Sequence, residues 1–323
     1  MSISNYDSYF WSHRIRDLRF LIAAPKEPMQ KWIKSFRRLA PQIPLDIGTE
    51  SPHPDQVVCI LIWGDQGDIF SKFKNLKLIY SMGAGADHIV WNKSLPSHIP
   101  VCRIVDPQMA FSMSNYIITA VLNYHRNWYH FIRHQKEKEW MQYDYPEIPL
   151  RIGVMGIGHL GMDAAKKLQY LGHHVIGYSI SKKKANFPTY YEDQLDEFLG
   201  QINVLVCTVP LTKTTKGLLS LKLFSKLKEP TYLINVARGK IHIEKDILTA
   251  IEKGILTGVC LDVFEVEPLP KESPIWEHPK IMITPHNASF SFPVQGVEQV
   301  IENFRRVQSG EPLLHQVHLD RMY

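Results

Sequence analysis

An α/β protein made of two doubly wound parallel-sheet domains is predicted from three features of the sequence. Short apolar runs alternate with segments of helical period from one end of the chain to the other, the pattern of strands joined by crossover helices. The 323 residues are long for one hydrophobic core and comfortable for two. In the second half a glycine-rich turn, GIGHLG, joins an apolar run to a helical segment, which is where a doubly wound sheet has its first strand-to-helix turn.

The elements follow in order. In the first part, strands are expected at residues 18–24, 57–63, 76–82 and 101–105, with helices at 29–39 and 68–73. A long helical segment follows at 108–140. It is amphipathic but rich in aromatics, so it is expected to be buried on several sides, connecting the two domains and offering a subunit interface. The second part holds RIGVM, HVIGYS, INVLVCTVP, TYLINVA, LTGVCLDVF and KIMITP, starting at Arg151, His174, Ile202, Thr231, Leu256 and Lys280. Helical segments at 160–171, 192–199, 221–227 and 244–252 separate most of these runs. Six strands with crossover helices is the doubly wound nucleotide-binding plan. The chain leaves the sixth strand at Pro285 and must still bury one amphipathic helix at 294–307, which is expected to pack back on the first domain. The expected division is 1–107 with 288–323 in one domain and 108–287 in the other.

Composition narrows the function. A hydrophobic fraction of 45% and a charged fraction of 21% are those of an ordinary globular protein. No apolar run reaches the ~18 residues that span a bilayer. The opening MSISNYDSYFWSH has no apolar core, so no secretory leader is read and the cytoplasm is expected. Cys59, Cys102, Cys207 and Cys260 each stand alone in apolar stretches and read as reduced core residues. The histidines form no HExxH motif, and the adjacent His173 and His174 would point apart on a strand, so no metal site is expected. A net charge of +5, spread along the chain without a basic stripe, does not describe a nucleic-acid binder. It suits an anionic substrate and an anionic cofactor.

The turn at 156–161 matches GxGxxG and has the context that the pattern needs, an apolar strand before it and a helix after it. Gly156 permits the tight turn, Gly158 lets backbone approach a pyrophosphate, and Gly161 lets helix and strand pack closely. The N–H groups where the helix opens, at His159 and Leu160, are free to meet phosphate. The reading is a Rossmann dinucleotide-binding domain. A domain of this kind that prefers NAD has an acid ~20 residues on, holding the ribose 2′-OH. This chain has Tyr178 and Ser179, then Ser181 followed by Lys182, Lys183 and Lys184. Hydroxyls and cations suit a 2′-phosphate, so NADP is expected ahead of NAD.

Three polar segments end the last three apolar runs: NVARG at 235–239, LDVFEVEPLP at 261–270 and ITPHNAS at 283–289. Ligands bind at the carboxyl ends of strands in open α/β sheets, so Arg238, Glu267 and His286 are expected to converge. The trio suits hydride addition to a 2-oxo acid. That reaction needs a proton donor, a cation for the carboxylate, and a group that keeps the donor charged.

Together with SMGAGADHI at 81–89 and TVPLTKTTKGLL at 208–219, these segments resemble the D-isomer-specific 2-hydroxyacid dehydrogenases over nearly the whole chain. Within that family the chain looks most like the branch that reduces glyoxylate and hydroxypyruvate. LIWG at 61–64, SMSNY at 112–116 and the run from Glu267 to Pro279 carry that likeness. The resemblance implies a Rossmann cofactor domain and a discontinuous flavodoxin-like substrate domain. It implies that His286 donates the proton, that Arg238 binds the carboxylate and polarises the carbonyl, and that Glu267 pairs with His286. Glu265 is the other candidate partner; Glu267 is preferred because it precedes Pro268, as the family pattern has it. The resemblance further implies that backbone N–H groups at Ala84 and Gly85 hold the substrate carboxylate and that Asp262 bonds the nicotinamide carboxamide. Val209, Pro210, Thr215, Val236 and Ala237 would line the cofactor. Trp63 either walls the substrate pocket or fills core. A homodimer is also implied, and Trp128, Tyr129, Phe131 and Trp140 are of the type enriched at interfaces. Ser291-Phe292-Pro293 departs from the Thr-Arg-Pro expected in that branch. The missing cation leaves open a different, more apolar 2-oxo acid. A dinucleotide-sensing corepressor-like binding protein is the alternative from another functional class.

Overall fold

A computed structural model of the chain describes residues 18–142 and 148–323. The opening stretch 1–13, read above for a leader, lies outside them. Two compact units divide the chain: Met1–Asp106 with Ser291–Tyr323, and Pro107–Phe290.

The first unit is built on β1 (Arg19–Ala23), β2 (Leu45–Ile47), β3 (Val57–Ile62), β4 (Leu78–Ser81) and β5 (Val101–Arg103). They pair in parallel in the order β2-β1-β3-β4-β5, the flavodoxin-like order. Every residue of β3, VVCILI, is buried, as expected of a central strand covered on both faces. Helix α1 (Lys26–Leu39) and the C-terminal helix Pro293–Ser309 pack against each other within this unit. Gly296 leaves room for the Trp32 ring, and Phe20 meets both Phe36 and Phe304 edge to face. Buried Asn303 donates to Tyr80 Oη and to the carbonyl of Leu314, which ties the C-terminal helix to β4 and to the tail. The short helix α2 (Asp87–Val90) opens after the SMGAGA turn.

Two expectations fail in this unit. Residues 68–73 form only a 3-10 turn at Phe70–Lys72, because so short a segment cannot offset helix nucleation and closes with i to i+3 bonds instead. The three-residue β2 escaped prediction because it carries Asp46 at its centre, a buried carboxylate held in two bonds by Arg19.

The second unit opens with α3 (Pro107–His125) and α4 (Trp128–Glu137), not with one helix over 108–140. Asn127 between them takes left-handed backbone, φ 56°, which asparagine tolerates better than most residues. Lys138 repeats the conformation and ends α4, so Trp140 lies beyond the helix. Helix α3 packs on α5 (His159–Tyr170): Ser114 bonds Asp163, which also pairs with Lys167, whose ammonium lies over the Phe111 ring. It therefore covers the sheet of its own unit.

The sheet comprises β6 (Arg151–Met155), β7 (His174–Ser179), β8 (Thr189–Tyr191), β9 (Val204–Cys207), β10 (Thr231–Asn235), β11 (Leu256–Leu261) and β12 (Ile281–Ile283). All pairs are parallel, in the order β12-β11-β10-β9-β6-β7-β8, the doubly wound order with a seventh strand. Strand β8 was not expected, since TYY forms no apolar run and lies half-buried at the edge. Helices α6 (Leu195–Leu199), α7 (Leu221–Phe224) and α8 (Glu244–Glu252) complete the crossovers. Successive strand residues enter opposite cores. Met155, Leu205, Leu233 and Leu261 face one side; Val154, Val206, Ile234 and Cys260 face the other. All four cysteines are free and buried. Among the described residues no helix is long and apolar enough to cross a membrane.

Candidate active site

The polar ends of β10, β11 and β12 meet at the edge where open α/β sheets bind ligands. The turn after β10 lies flush on the exit of β11: a Cβ at Gly239 would sit 1.8 Å from the carbonyl oxygen of Phe264. Only glycine permits that seam, and it brings the Arg238 turn beside the Glu267 loop.

His286 Nδ1 lies 2.7 Å from Glu267 Oε2, with both side chains about a third exposed. The other carboxylate oxygen of Glu267 accepts the N–H of Phe264 at 2.9 Å. Burial pushes the Glu267 carboxyl up, but the bonds from His286 and Phe264 and the nearby charge of Arg238 outweigh it. The net effect holds Glu267 below the usual glutamate range. The Glu267 carboxylate thus holds the ring at Nδ1. Glu265 is occupied elsewhere: its carboxylate accepts the N–H of Glu244, and its own N–H donates to the Glu244 carboxylate. Arg238 Nη1 donates to the carbonyl of Ala237 at 2.7 Å.

Asp262 stands behind this pair, 1% exposed. Its Oδ1 accepts the Thr284 hydroxyl at 2.6 Å and the N–H of Asn287 at 2.8 Å; its Oδ2 accepts the N–H of Ala288 at 2.9 Å. Burial raises its pKa, and those three bonds oppose the rise. Two lone pairs per oxygen leave one acceptor position on Oδ2. Tyr116 Oη contacts Thr284 Oγ1 at 2.5 Å and extends the chain of hydroxyls to α3.

The turn after β6 sorts its glycines by role. Gly156 has φ 103°, and a Cβ there would lie 2.7 Å from the backbone of Thr208 and Val209. At Gly161 it would lie 2.2 Å from the Gly156 carbonyl oxygen. At Gly158 it would meet nothing within 4 Å. Two glycines thus pack protein on protein, and the third faces open space at the start of α5, with exposed His159 and half-buried Leu160 next to it. That is the cradle that a dinucleotide pyrophosphate fits. Across it, Thr208 Oγ1 donates to Gly156, and Thr215 Oγ1 donates to the carbonyl of Pro210, folding the loop that carries Val209. Val236 and Ala237 are buried in the two cores of the sheet, which leaves them backbone contacts only.

After β7, Tyr178 Oη donates to the Glu192 carbonyl and so turns away from the strand end. Ser179 Oγ donates to the carbonyl of Ser181, shaping an exposed turn. Lys182 Nζ lies 5.7 Å from the Tyr191 ring centroid, and Lys183 and Lys184 are exposed. No carboxylate occupies positions 178–184.

In the first unit, the loop after β4 is fastened by its carbonyls. The oxygen of Gly83 accepts from Ile104 N at 3.1 Å, that of Ala84 from Arg103 Nη1 at 3.2 Å, and that of Gly85 from buried Ser81 Oγ at 2.5 Å. In a trans peptide the next N–H points opposite to the carbonyl. The N–H groups of Gly85 and Ala86 are therefore turned away from Arg103 and Ser81. Trp63 packs its ring on Gly83 and edge to face on His88 at 5.6 Å.

A seven-stranded dinucleotide sheet, a phosphate turn, and an imidazole–carboxylate pair beside an arginine define a nicotinamide-dependent oxidoreductase. Residues 118–288 match the family described as "D-isomer specific 2-hydroxyacid dehydrogenase, NAD binding domain", and the chain belongs to that family. It is 35% identical over 291 residues to glyoxylate/hydroxypyruvate reductase A of Photorhabdus laumondii subsp. laumondii, covering 87% of this chain and 92% of that protein. Among solved structures, it is similar to the NADPH-dependent glyoxylate/hydroxypyruvate reductase of Sinorhizobium meliloti in complex with NADP and sulfate. The TM-score is 0.88 at 33% identity, covering 95% of this chain and 100% of that one. A D-isomer specific 2-hydroxyacid dehydrogenase of Xanthobacter autotrophicus Py2, in complex with NADPH and MES, gives TM-score 0.88 at 34% identity, covering 94% and 99%.

Proposed function

We propose that this dehydrogenase reduces a small 2-oxo acid, glyoxylate or hydroxypyruvate, to its 2-hydroxy acid with NADPH. The 2.7 Å pairing of His286 Nδ1 with Glu267 carries the reading, because it sets an imidazole, a group that can hand over a proton, against a carboxylate that orients it. Bound at the Gly156–Gly161 turn, NADPH supplies the hydride. Arg238 holds the substrate carboxylate and polarises the carbonyl. His286 Nε2 delivers its proton to the carbonyl oxygen as negative charge develops there, and Glu267 stabilises the imidazolium until it does. The N–H groups of Ala84 and Gly85 bind the carboxylate, Trp63 walls the substrate, and the open acceptor position on Asp262 takes the nicotinamide carboxamide. Pro107–Phe290 is on this reading the cofactor unit, and the other the substrate unit.

The acid-free turn at 178–184 supports NADPH over NADH. Four buried free cysteines support a reducing compartment, the cytoplasm. Exposed Trp128, Phe131, Ile132 and Trp140 support a homodimer; Tyr129 does not belong with them, since its hydroxyl is bonded to Tyr232 at 2.6 Å in the core. A second reading, a more apolar 2-oxo acid, is favoured by Phe290, which is 62% exposed four residues after His286. Steady-state kinetics with glyoxylate, hydroxypyruvate and phenylpyruvate, each with NADPH and NADH, tests both. Highest kcat/KM on glyoxylate or hydroxypyruvate with NADPH is expected. A preference for phenylpyruvate would move the assignment to the second reading, and no turnover on any acid would overturn both.

A further inference from the structure

One buried titratable side chain in the second unit has no part in the mechanism above. His242 follows Arg238 by four residues, and its side chain is fully buried. Its Nδ1 lies 2.8 Å from Asn235 Nδ2. The Asn235 amide is oriented by other groups. Its Oδ1 accepts the N–H of Ala237 at 3.0 Å, and its Nδ2 faces the carbonyl oxygen of Arg238 at 3.3 Å. Reversing the amide would set NH2 against N–H and oxygen against oxygen, losing both contacts. Nδ2 is therefore the donor toward His242, and Nδ1 can only accept. An accepting Nδ1 places the ring's proton on Nε2. Glu244 Oε1, at 4.0 Å, is beyond hydrogen-bond reach of that atom, which has no hydrogen-bond partner among the described residues.

We infer that His242 is a positioning residue for Arg238, a neutral acceptor that locks the Asn235 amide and, through it, the turn carrying the guanidinium. The backbone supports this assignment. Ile241 N donates to the Arg238 carbonyl at 3.2 Å and His242 N to that of Gly239 at 3.0 Å, so the ring folds back over the turn that it braces. The inference rests on the proposal that Arg238 binds the substrate carboxylate.

Asparagine places an amide oxygen where histidine has Nδ1; leucine fills the space without an acceptor, and glutamine places its oxygen near Nε2. His242→Leu and His242→Gln are expected to raise KM for glyoxylate and lower kcat, each by up to about tenfold, the worth of one buried hydrogen bond, with KM for NADPH unchanged. His242→Asn is expected to stay within about threefold of the parent, because the acceptor is restored. A second readout is independent of turnover: 15N spectra of histidine-labelled protein, with His242 assigned by its loss in His242→Asn, should show Nδ1 bare and Nε2 protonated. A protonated Nδ1, or His242→Leu kinetics equal to the parent's, would overturn the inference. A parent protein that turns over no 2-oxo acid would instead sink the assignment of Arg238 while the spectra still decide the tautomer. If the leucine variant does not fold, the glutamine and asparagine pair and the spectra decide.

Discussion

The backbone N–H of His286 donates to the carbonyl oxygen of Asp262 at 2.8 Å, while the Asp262 carboxylate accepts the next two N–H groups, of Asn287 and Ala288. One buried residue thus fixes three successive peptides. His286 needs this, since its φ of 52° lies in the left-handed region, which costs a side-chain-bearing residue about 1–2 kcal/mol. Asp262→Ala should leave the N–H groups of Asn287 and buried Ala288 without their acceptor and release the turn. Stability by urea denaturation is expected to fall by about 2–4 kcal/mol, with a large loss of kcat. A variant with the parent's denaturation midpoint and kcat would show that the turn holds without its carboxylate.

Removing the proposed proton donor should separate chemistry from binding. His286→Ala is expected to lower kcat by about 10²–10⁴-fold, with the dissociation constant for NADPH unchanged by fluorescence titration. Near-normal turnover would require another proton source.

Glu267, the carboxylate paired with His286, carries a pH dependence of its own. Its folded pKa is depressed, so its contribution to stability is present above the ordinary glutamate value and lost as pH falls through the lower folded value. In Glu267→Gln that acid-side loss of stability should shrink, read as urea denaturation midpoints measured from neutral pH downward. An equally steep loss in the variant would mean that other carboxylates set the acid-side dependence.

Arg103 turns the Gly85 N–H away from itself by holding the Ala84 carbonyl. Burial lowers its pKa, yet a guanidinium remains charged at any working pH. Arg103→Gln is expected to raise KM for the 2-oxo acid by about fivefold or more, with kcat and KM for NADPH changing little. Equal KM values would show that the loop keeps its direction on Ser81 alone.

On the proposed reading the turn after β7 meets the ribose substituent. Exchanging Lys182 and Lys183 together for Ala should shrink the NADPH preference in kcat/KM by about tenfold, and 0.5 M salt should have a similar effect on the parent. An unchanged ratio of NADPH to NADH would assign discrimination to the serine hydroxyls.

Much of this was legible because parallel strands buried on both faces read as unbroken apolar runs, and because phosphate binding demands glycines at fixed spacing. Arg238, Glu267 and His286 stood out as polar residues closing such runs. Other features depend on contacts that no local pattern records. His242 sits in IHIE, where nothing marks the ring as buried; its only signal is the distant one that Asn235, a buried amide at a strand end, needs partners. Arg103 lies 19 residues from the carbonyl that it holds. The break at Asn127 is a single backbone angle inside an uninterrupted helical pattern, and only the asparagine itself hints at it.

The seam at Gly239 bears on how such an enzyme changes its diet. With the β10 turn pressed against the carbonyl of Phe264, the arginine and the carboxylate that serves the histidine ride on one block. A new substrate shape is hard to accommodate by nudging either of them, because each drags the other. On the proposed reading, selection for a different 2-oxo acid then has to work at the periphery, on residues such as Phe290 and Phe292, and leave the trio as an inherited, indivisible part.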